Sequence, residues 1–341
     1  MSKLTIALDI MGGDHGPPVI LSAVQKAIQS ITDAQFILCG DENIILPALE
    51  SLTEQQRQRT VINHCEQIVE MGEPPTSALR NKKQSSMWKA LQLVESGEAD
   101  ACVSAGNTGA LLTMAFYLLK TLPGIDRPAL VSDMPTASHH RVFLLDLGAN
   151  VNCTSEILFQ YGVMASVLAE QISGIESPRV ALLNVGEEDI KGNAQVKYAD
   201  QLFKNAKGIN YIGYVEGDDI FTDYADVVVT DGFTGNIALK SCEGLAKLVI
   251  NEVKRQSQAN FFSRMMARIA LPLLKTVYNR VNPDQYNGAS LLGLRGIVIK
   301  SHGNASAEAF YYAILQAKQE AEMKVPEKIK SKIETVLLEQ L

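Results

Sequence analysis

The chain has 341 residues, of which 46% are hydrophobic and 20% are charged, so it can bury a large core. Its formal net charge of -7 argues against nucleic acid as a partner, because neutralising a phosphate backbone requires a basic surface. No apolar stretch reaches the roughly 20 residues of a membrane-spanning helix. The five cysteines lack a C-x-x-C pair, which fits a reducing compartment.

The predicted elements alternate strands with helices along the chain. Short apolar runs have the length and the β-branched content of strands that are buried on both faces. These runs are Leu4–Leu8, Ala101–Val103, Val142–Leu145, Val180–Gly186 and Val227–Val229. Helical patterns follow at Gly109–Leu119 and from Asn236 onward. This order predicts an α/β fold with a mostly parallel sheet.

Four of these strands break into turns that are rich in glycine and asparagine before the next helix begins. The turns occupy residues 9–16, 104–109, 146–150 and 231–236. A parallel sheet forms its ligand crevice at strand ends, where backbone N–H groups and helix N-termini attract anions. The four turns together predict a site for an anionic ligand.

Two further segments place basic side chains at predicted loops. Arg80 and Lys83 precede the helical pattern Met87–Val94, which suggests an anion clamp; the alternative is a solvated loop in which Ser85 or Ser86 caps the helix. Lys191 follows the strand Val180–Gly186 and stands beside two glutamates. It is a candidate ligand of a phosphate or a carbonyl, and the alternative is a surface ion pair.

A basic amphipathic segment lies late in this acidic chain, since no acidic residue occurs between Glu252 and Asp284. On a helical projection one face is apolar, with Phe262, Met265, Met266, Ile269, Leu273 and Val277, and the opposite face carries Arg264, Arg268 and Lys275. Pro272 is expected to kink or split this helix. Such a segment binds a membrane surface or an acidic partner, or its apolar face packs on the body or across a dimer interface.

Several familiar chemical motifs are absent. The sequence has no P-loop, no G-x-G-x-x-G fingerprint, no G-x-S-x-G elbow and no histidine pair spaced for zinc on a helix. Nucleotide binding and covalent nucleophilic catalysis therefore have no direct support.

Taken in chain order, five segments resemble those of one known family. They are Leu8–Pro17, Ser104–Ala110, Asp146–Asn150, Asp231–Asn236, and Gly288–Gly296 continuing to Ser301–Gly303. The set closely resembles the phosphate acyltransferase family of bacterial phospholipid synthesis, and the match spans nearly the whole chain. Ile10, where alanine is typical of the family, is a mild departure.

The resemblance implies a reaction, a fold and partners. The reaction is that of inorganic phosphate with a long-chain acyl-acyl-carrier protein, which yields acyl phosphate and free carrier protein for phosphatidic acid synthesis. The fold it implies is a three-layer α/β/α sandwich, like that of phosphotransacetylases and isopropylmalate-type dehydrogenases. It further implies a homodimer without metal or organic cofactor, and a membrane glycerol-3-phosphate acyltransferase as the next enzyme.

Phosphate is already an anionic nucleophile and a thiolate leaves readily, so catalysis needs positioning and oxyanion stabilisation more than a catalytic triad. Within the matched turns and basic loops, the candidate catalytic residues are His15, Lys191, Asp231 and Asn236. The candidate phosphate or acyl-carrier ligands are Gly12, Gly13, Asp14, Arg80, Lys83, Gly106, Asn107, Thr108, Gly109 and Asn150. The candidate contacts to a membrane or to the carrier protein are Phe262, Arg264, Met266, Arg268, Ile269 and Lys275.

We therefore expect one α/β domain over residues 1–341, with a basic amphipathic helical excursion at about residues 253–282. Residues Met1-Ser2-Lys3 run directly into a predicted strand, so we expect no signal peptide and a cytoplasmic protein that associates peripherally with the membrane. Two alternatives stay open. One is a metal- and NAD-dependent hydroxyacid dehydrogenase of the same architecture, and the other is a non-catalytic scaffold at the membrane surface.

Overall fold

The computed structural model describes residues 4–138, 140–281 and 287–338, which are built around one sheet of eleven strands. In chain order the strands are β1 Leu4–Asp9, β2 Ala34–Gly40, β3 Thr60–His64, β4 Ala101–Ser104, β5 Ala129–Pro135, β6 Arg141–Leu145, β7 Arg179–Leu183, β8 Asn210–Val215, β9 Val227–Val229, β10 Ala289–Leu292 and β11 Ile297–Lys300. Across the sheet their order is β3-β2-β1-β4-β11-β10-β5-β6-β9-β7-β8.

Helices cover both faces of the sheet. They are α1 Pro17–Ser30, α2 Glu42–Leu49, α3 Glu54–Arg57, α4 Pro75–Asn81, α5 Ser86–Glu95, α6 Thr108–Leu119, α7 Ser155–Ser173, α8 Ala194–Asn205, α9 Gly232–Gln258, α10 Phe261–Val281, α11 Ala307–Glu322 and α12 Val325–Leu338. None of the described helices is long and apolar enough to cross a membrane.

The pairing of the strands confirms a mostly parallel sheet, since the antiparallel pairs among the described strands are β11 with β10, β10 with β5 and β5 with β6. These three pairs reverse the direction of the chain, so β6, β9, β7 and β8 run opposite to β1, β4 and β11. One row of paired residues nevertheless crosses the centre of the sheet, through Val103, Ile299, Ser290, Val131 and Leu145. The carboxyl ends of β4, β11 and β6 all lie within one residue of this row. The strand ends of both halves therefore meet in the middle of the molecule.

The core follows the alternation of side chains along the strands. On one face, Ala7 and Cys102 pack with Leu91 of α5 and Leu111 of α6 in a single cluster. On the other face the core forms two clusters, one under α1 and α11 and the other under α7 and α12. Helices thus cover apolar strand surface on both sides, which confirms the predicted three-layer α/β/α sandwich.

The predicted elements are found with small shifts of their ends. Every predicted strand is present, and the helix predicted to start near Asn236 begins earlier, at Gly232, and runs to Gln258. The excursion predicted at about 253–282 therefore contains the last turns of α9 and the whole of α10. These two helices pack on each other and are called the hairpin below. Residue 282 lies outside the described residues. The helix α10 continues through Pro272, so this proline does not split it.

The apolar face predicted for α10 is exposed to solvent in the chain. Phe262 is 65% exposed and Ile269 is 68% exposed, whereas the small residues Ser263, Ala267 and Ala270 are partly covered. The helices α9 and α10 pack on each other, and the large apolar side chains of α10 stay exposed to solvent. Packing on the body of the same chain, one of the interpretations considered above, does not account for that face.

Candidate functional site

Three strand-end loops meet beside the central row and form what we call the cradle, made of residues 9–14, 104–109 and 300–303. They follow β1, β4 and β11, which are neighbours in the sheet. The backbone N–H of Asp14 donates to the carbonyl of Gly303 at 2.7 Å, and that of Ser301 donates to the carbonyl of Ser104 at 2.9 Å. These bonds fix the three loops to one another.

The cradle has its closest approach at Gly12. A Cβ atom at this position would lie 2.6 Å from the backbone nitrogen of Gly106 and 2.9 Å from Oδ2 of Asp9. The Ser104 hydroxyl donates to the same Asp9 oxygen at 2.6 Å and accepts from the N–H of Gly106 at 3.0 Å. Only glycine fits at position 12, and the buried pair Asp9 and Ser104 holds the start of the 106–109 turn in place.

A buried carboxyl and a buried ammonium accompany these loops. Burial raises the pKa of Asp9, whose Oδ1 has no hydrogen-bond partner among the described residues. Lys300 donates to the carbonyl oxygens of Ala105, at 3.4 Å, and of Ser301. Burial lowers its pKa to about 8, although the nearby Asp9 works in the opposite direction. No ion pair joins Lys300 to a carboxylate in the described part of the chain, so its charge is available to an anionic ligand.

The loop after β6 and the N-terminus of α9 form a second tightly packed element. Asp146 accepts from the backbone N–H groups of Leu130 at 3.0 Å and Asn150 at 2.6 Å, and its pKa is raised because burial outweighs these bonds. Asp231 caps α9 by accepting from the N–H of Thr234 at 2.8 Å. A Cβ atom at Gly235 would lie only 1.9 Å from the Asp146 carbonyl oxygen, so the helix start is pressed against this loop.

A cavity of about 950 Å³ opens between these two elements and extends along α9. Its polar end contains Thr108, Gly148, Asn236, Lys240, Lys300 and His302. Its remaining wall is largely apolar and includes side chains from β5 and from the later turns of α9. An anionic group and an apolar group can therefore occupy one continuous space.

The polar end holds a small network of charges on α9. Glu243 pairs with Lys240 at 3.0 Å, and its Oε1 lies 3.5 Å from Nε2 of His302. His302 is 45% exposed, but part of that surface lines the cavity, and desolvation there lowers its pKa despite the nearby Glu243. The imidazole is therefore neutral near pH 7 and able to accept a proton.

The predicted site residues fall into three groups. Thr108 and Asn236 line the cavity, and Gly12, Gly13, Gly106, Asn107 and Gly109 belong to the cradle, with Asp14 and His15 exposed at its rim. The side chain of Asn107 caps α6 and donates to the carbonyls of Met71 and Glu73. The side chain of Asn150 donates to Pro128 and Tyr161.

The remaining predicted residues lie away from the cavity wall. Lys191 is exposed, its N–H donates to the Glu188 carbonyl, and it is not among the residues that line the cavity. Arg80 and Lys83 are exposed around the end of α4, while Ser85 caps α5 as the alternative interpretation expected. Asp231 and Asn150 act in local packing. The roles predicted for all of these residues stay predictions.

Sequence reasoning missed Lys300, His302, Lys240 and Glu243. Lys300 and His302 could have been found by the pattern that identified the other turns, because they follow the buried apolar run Ile297–Ile299 at the end of a strand. Lys240 and Glu243 stand four and seven positions after Asn236 and so share its helical face. That periodicity was visible, but only the structure shows that this face meets the cradle.

Comparisons with known proteins agree on a family. The family described as Fatty acid synthesis protein matches residues 4–328. A phosphate acyltransferase of Pseudoalteromonas atlantica is 61% identical over 339 residues, which cover 99% of each chain. Another phosphate acyltransferase, from Shewanella sp. (strain MR-4), is 50% identical over 339 residues, again covering 99% of each.

A solved structure resembles the fold. A phosphotransacetylase from Streptococcus pyogenes superposes with a TM-score of 0.61 at 18% identity, covering 94% of both chains. At this identity the likeness concerns the fold alone, and it agrees with the α/β/α architecture described above.

Proposed function

The chain belongs to the phosphate acyltransferase family and is an acyltransferase that uses phosphate; from this premise we propose that it transfers a long-chain acyl group from acyl-carrier protein to inorganic phosphate. The observation that carries the proposal is the buried ammonium of Lys300, which has no ion-pair partner among the described residues, at the polar end of a largely apolar cavity and beside the backbone of the cradle. Cation and apolar space together suit a reaction between phosphate and a fatty acyl thioester.

In the proposed reaction, a phosphate oxygen attacks the thioester carbonyl carbon and forms the new C–O bond. The C–S bond then breaks, and the thiolate leaves with the carrier protein. Lys300 and the N–H groups of residues 107–109 hold the phosphate, while Asn236 and Lys240 face the carbonyl oxygen as charge develops on it. His302, with Nε2 towards Glu243, accepts the phosphate proton at Nδ1.

The hairpin supports proposals about partners and location. Its exposed apolar side chains need a cover, and we propose a membrane surface for α10, with the basic residues Arg264, Arg268 and Lys275 facing anionic headgroups. The enzyme is then a cytoplasmic, peripherally bound homodimer that passes acyl phosphate to a membrane glycerol-3-phosphate acyltransferase for phosphatidic acid synthesis. An acidic carrier protein is the alternative partner for the basic residues.

The proposed reaction is tested by measuring free carrier-protein thiol from purified protein and long-chain acyl-acyl-carrier protein. We expect thiol release to rise in proportion to added phosphate until saturation and to persist in EDTA, with one acyl phosphate formed per thiol. Release that continues without phosphate, or that EDTA abolishes, would contradict the proposal. If the protein transfers an acyl group to phosphate from acyl-coenzyme A but not from the carrier-protein thioester, the proposed donor is wrong and the proposed acceptor stands.

A further inference from the structure

We infer that the apolar part of the cavity holds the acyl chain extended along α9, and that Ala246 and Ile250 set the longest chain the enzyme accepts. The inference rests on the proposed function, because it takes a fatty acyl thioester as the substrate. It assigns a position and a length limit to the chain.

The face of α9 that lines the cavity changes character along its length. Its first lining residues include all the charged or amide side chains of this face, namely Asn236, Lys240 and Glu243, beside Leu239 and Cys242. The later ones are all apolar, namely Leu245, Ala246, Val249 and Ile250. A ligand lying along this face therefore meets polar groups beside the cradle and apolar groups farther from it. This gradient matches an acyl chain whose carbonyl lies at the cradle.

The facing wall follows the same direction. Leu130 begins it beside the polar end, and Met134, Pro135 and Phe221 continue it. Asp133 also lies on this wall, but its carboxylate is held by Arg141 at 2.6 Å. Ser132 and Thr136 also line this wall, and its apolar side chains offer an alkyl chain contact worth about 0.8 kcal/mol for each methylene removed from water.

The length of the cavity points to a long chain. The rise of an α-helix places Ile250 about 15 Å beyond Lys240 and about 21 Å beyond Asn236. An extended polypeptide advances about 1.2 Å per bond, and a straight alkyl chain is similar, so this distance corresponds to roughly 12 to 17 bonds. An acetyl group would leave most of the cavity unfilled. Small side chains such as Ala246 keep it open.

A cysteine in the cavity wall can report directly whether a ligand occupies the cavity. Cys242 lines the cavity and is only partly buried, whereas the other four cysteines of the chain, all within the described residues, are buried. Burial raises the pKa of the Cys242 thiol. Alkylation by a maleimide at mildly alkaline pH should therefore modify this cysteine first, and a chain in the cavity should block it.

The first experiment labels the full-length protein with a small maleimide and locates the label by mass spectrometry. We expect a long-chain fatty acid, kept below its aggregation concentration, to slow the labelling of Cys242 at least about fivefold, with butyrate at the same concentration as the control. Equal labelling rates in the presence of the two acids would overturn the inference. This reading does not depend on turnover, so it can fail while the proposed reaction stands.

The second experiment narrows the cavity. Ala246→Phe should lower kcat/KM for long-chain acyl-carrier protein at least about tenfold while medium-chain substrates change less than about threefold, since single methylenes already have effects of this size. Ser241→Phe, on the exposed face of the same helix, should leave the profile unchanged. An unchanged profile in a folded Ala246→Phe variant would refute the length limit.

A third variant keeps the inference testable if Ala246→Phe does not fold. Ile250→Ala lengthens the cavity and should shift the preference towards acyl chains longer than the wild-type limit. An unshifted chain-length profile would refute the role of Ile250 in setting that limit. If the wild-type protein releases no thiol in response to phosphate with any chain length, the proposed function fails, and that result is distinct from an active enzyme whose chain preference ignores both positions.

Discussion

The cradle is built from loops at strand ends and the hairpin from two helices, and the two regions use their surroundings in opposite ways. In the cradle, polar side chains are buried inside the chain and several are bonded to neighbouring loops, as Ser104 is to Asp9 and Gly106. In the hairpin, large apolar side chains such as Phe262 and Ile269 stay exposed. The cradle is complete within one chain, whereas the hairpin presents a surface that is suited to something outside it.

This difference suggests that the two regions have separate roles, the cradle in the reaction and the hairpin in the location of the enzyme. If the cradle performs the reaction and the hairpin brings the enzyme to its surroundings, changes in one region should spare the property of the other. The predictions below test this separation from the largest expected effect to the smallest.

The largest effect is expected at Lys300. Lys300→Met removes the buried charge but keeps the length of the side chain, so kcat/KM for phosphate should fall by about a hundredfold to a thousandfold, the scale of losing one preorganised electrostatic contact. Saturation kinetics of thiol release against phosphate measure it, and vesicle binding should not change.

Lys191 offers the matched comparison, since the sequence interpretation gave it the same role. Its predicted loss of at least about a hundredfold in Lys191→Ala is tested in the same assay. A large loss at Lys191 with little change at Lys300 would move the phosphate site to the loop after β7 and break the assignment to the cradle.

The second prediction concerns the hairpin. A double change of Met266 and Ile269 to Glu should weaken co-sedimentation with anionic vesicles by about a hundredfold, because it removes about 3 kcal/mol of apolar burial. Phosphate-dependent thiol release in solution should stay within about twofold.

Two controls sharpen this result. Arg264→Glu should reduce vesicle binding less, by about 1 to 2 kcal/mol, and in a salt-sensitive way. If light scattering finds a dimer for the wild type and a monomer for the double variant, the apolar face of α10 instead covers a second copy of the chain. A raised carrier-protein requirement in Arg264→Glu with normal vesicle binding would favour the carrier protein as the partner.

The third prediction applies one substitution to both regions. Gly12→Ala forces a Cβ atom against the backbone of Gly106 and should destabilise the protein by about 1 to 3 kcal/mol. Gly244→Ala lies in α9, where a Cβ atom meets nothing within 4 Å, and should stabilise it by up to about 1 kcal/mol. Thermal unfolding should therefore move in opposite directions, and a lower Tm in both variants would show that the surface of α9 is covered in solution.

The sequence predicted the fold well where a pattern is local. The apolar runs at Val142–Leu145 and Val227–Val229 are strands, and the turns after them lead into the Asp146 loop and α9. Parallel pairing is implied by such alternation. The reversal of half the sheet was not predicted, because it comes from the antiparallel pairing of β6 with β5, and Ala129–Pro135 was not among the predicted strands.

The site was predicted less completely for a physical reason. Turn composition pointed to the segment 106–109, so Thr108 could be named, although the N–H of Gly106 donates to Ser104. The burial of Lys300, which has no carboxylate partner among the described residues, comes from long-range packing of β11 between β4 and β10, and no local pattern encodes it. Likewise the periodicity of α10 revealed its apolar face but not that this face would stay exposed while α10 packs on α9.

The smallest effect expected is a pH dependence that belongs to the cradle alone. Burial lowers the pKa of Lys300 to about 8, so its ammonium is charged below that pH and loses its proton as the pH rises through it. Only the charged form attracts phosphate, so kcat/KM for phosphate should decline about tenfold per pH unit above this point. Lys300→Arg keeps a charge at every accessible pH and should remove the decline, even if its overall rate is lower. Initial rates of acyl phosphate formation between pH 6.5 and 9.5 at low phosphate, corrected for thioester hydrolysis without enzyme, measure both profiles. If the Lys300→Arg profile declines at the same pH as the wild type, another group controls phosphate binding, and the cradle does not act through this lysine.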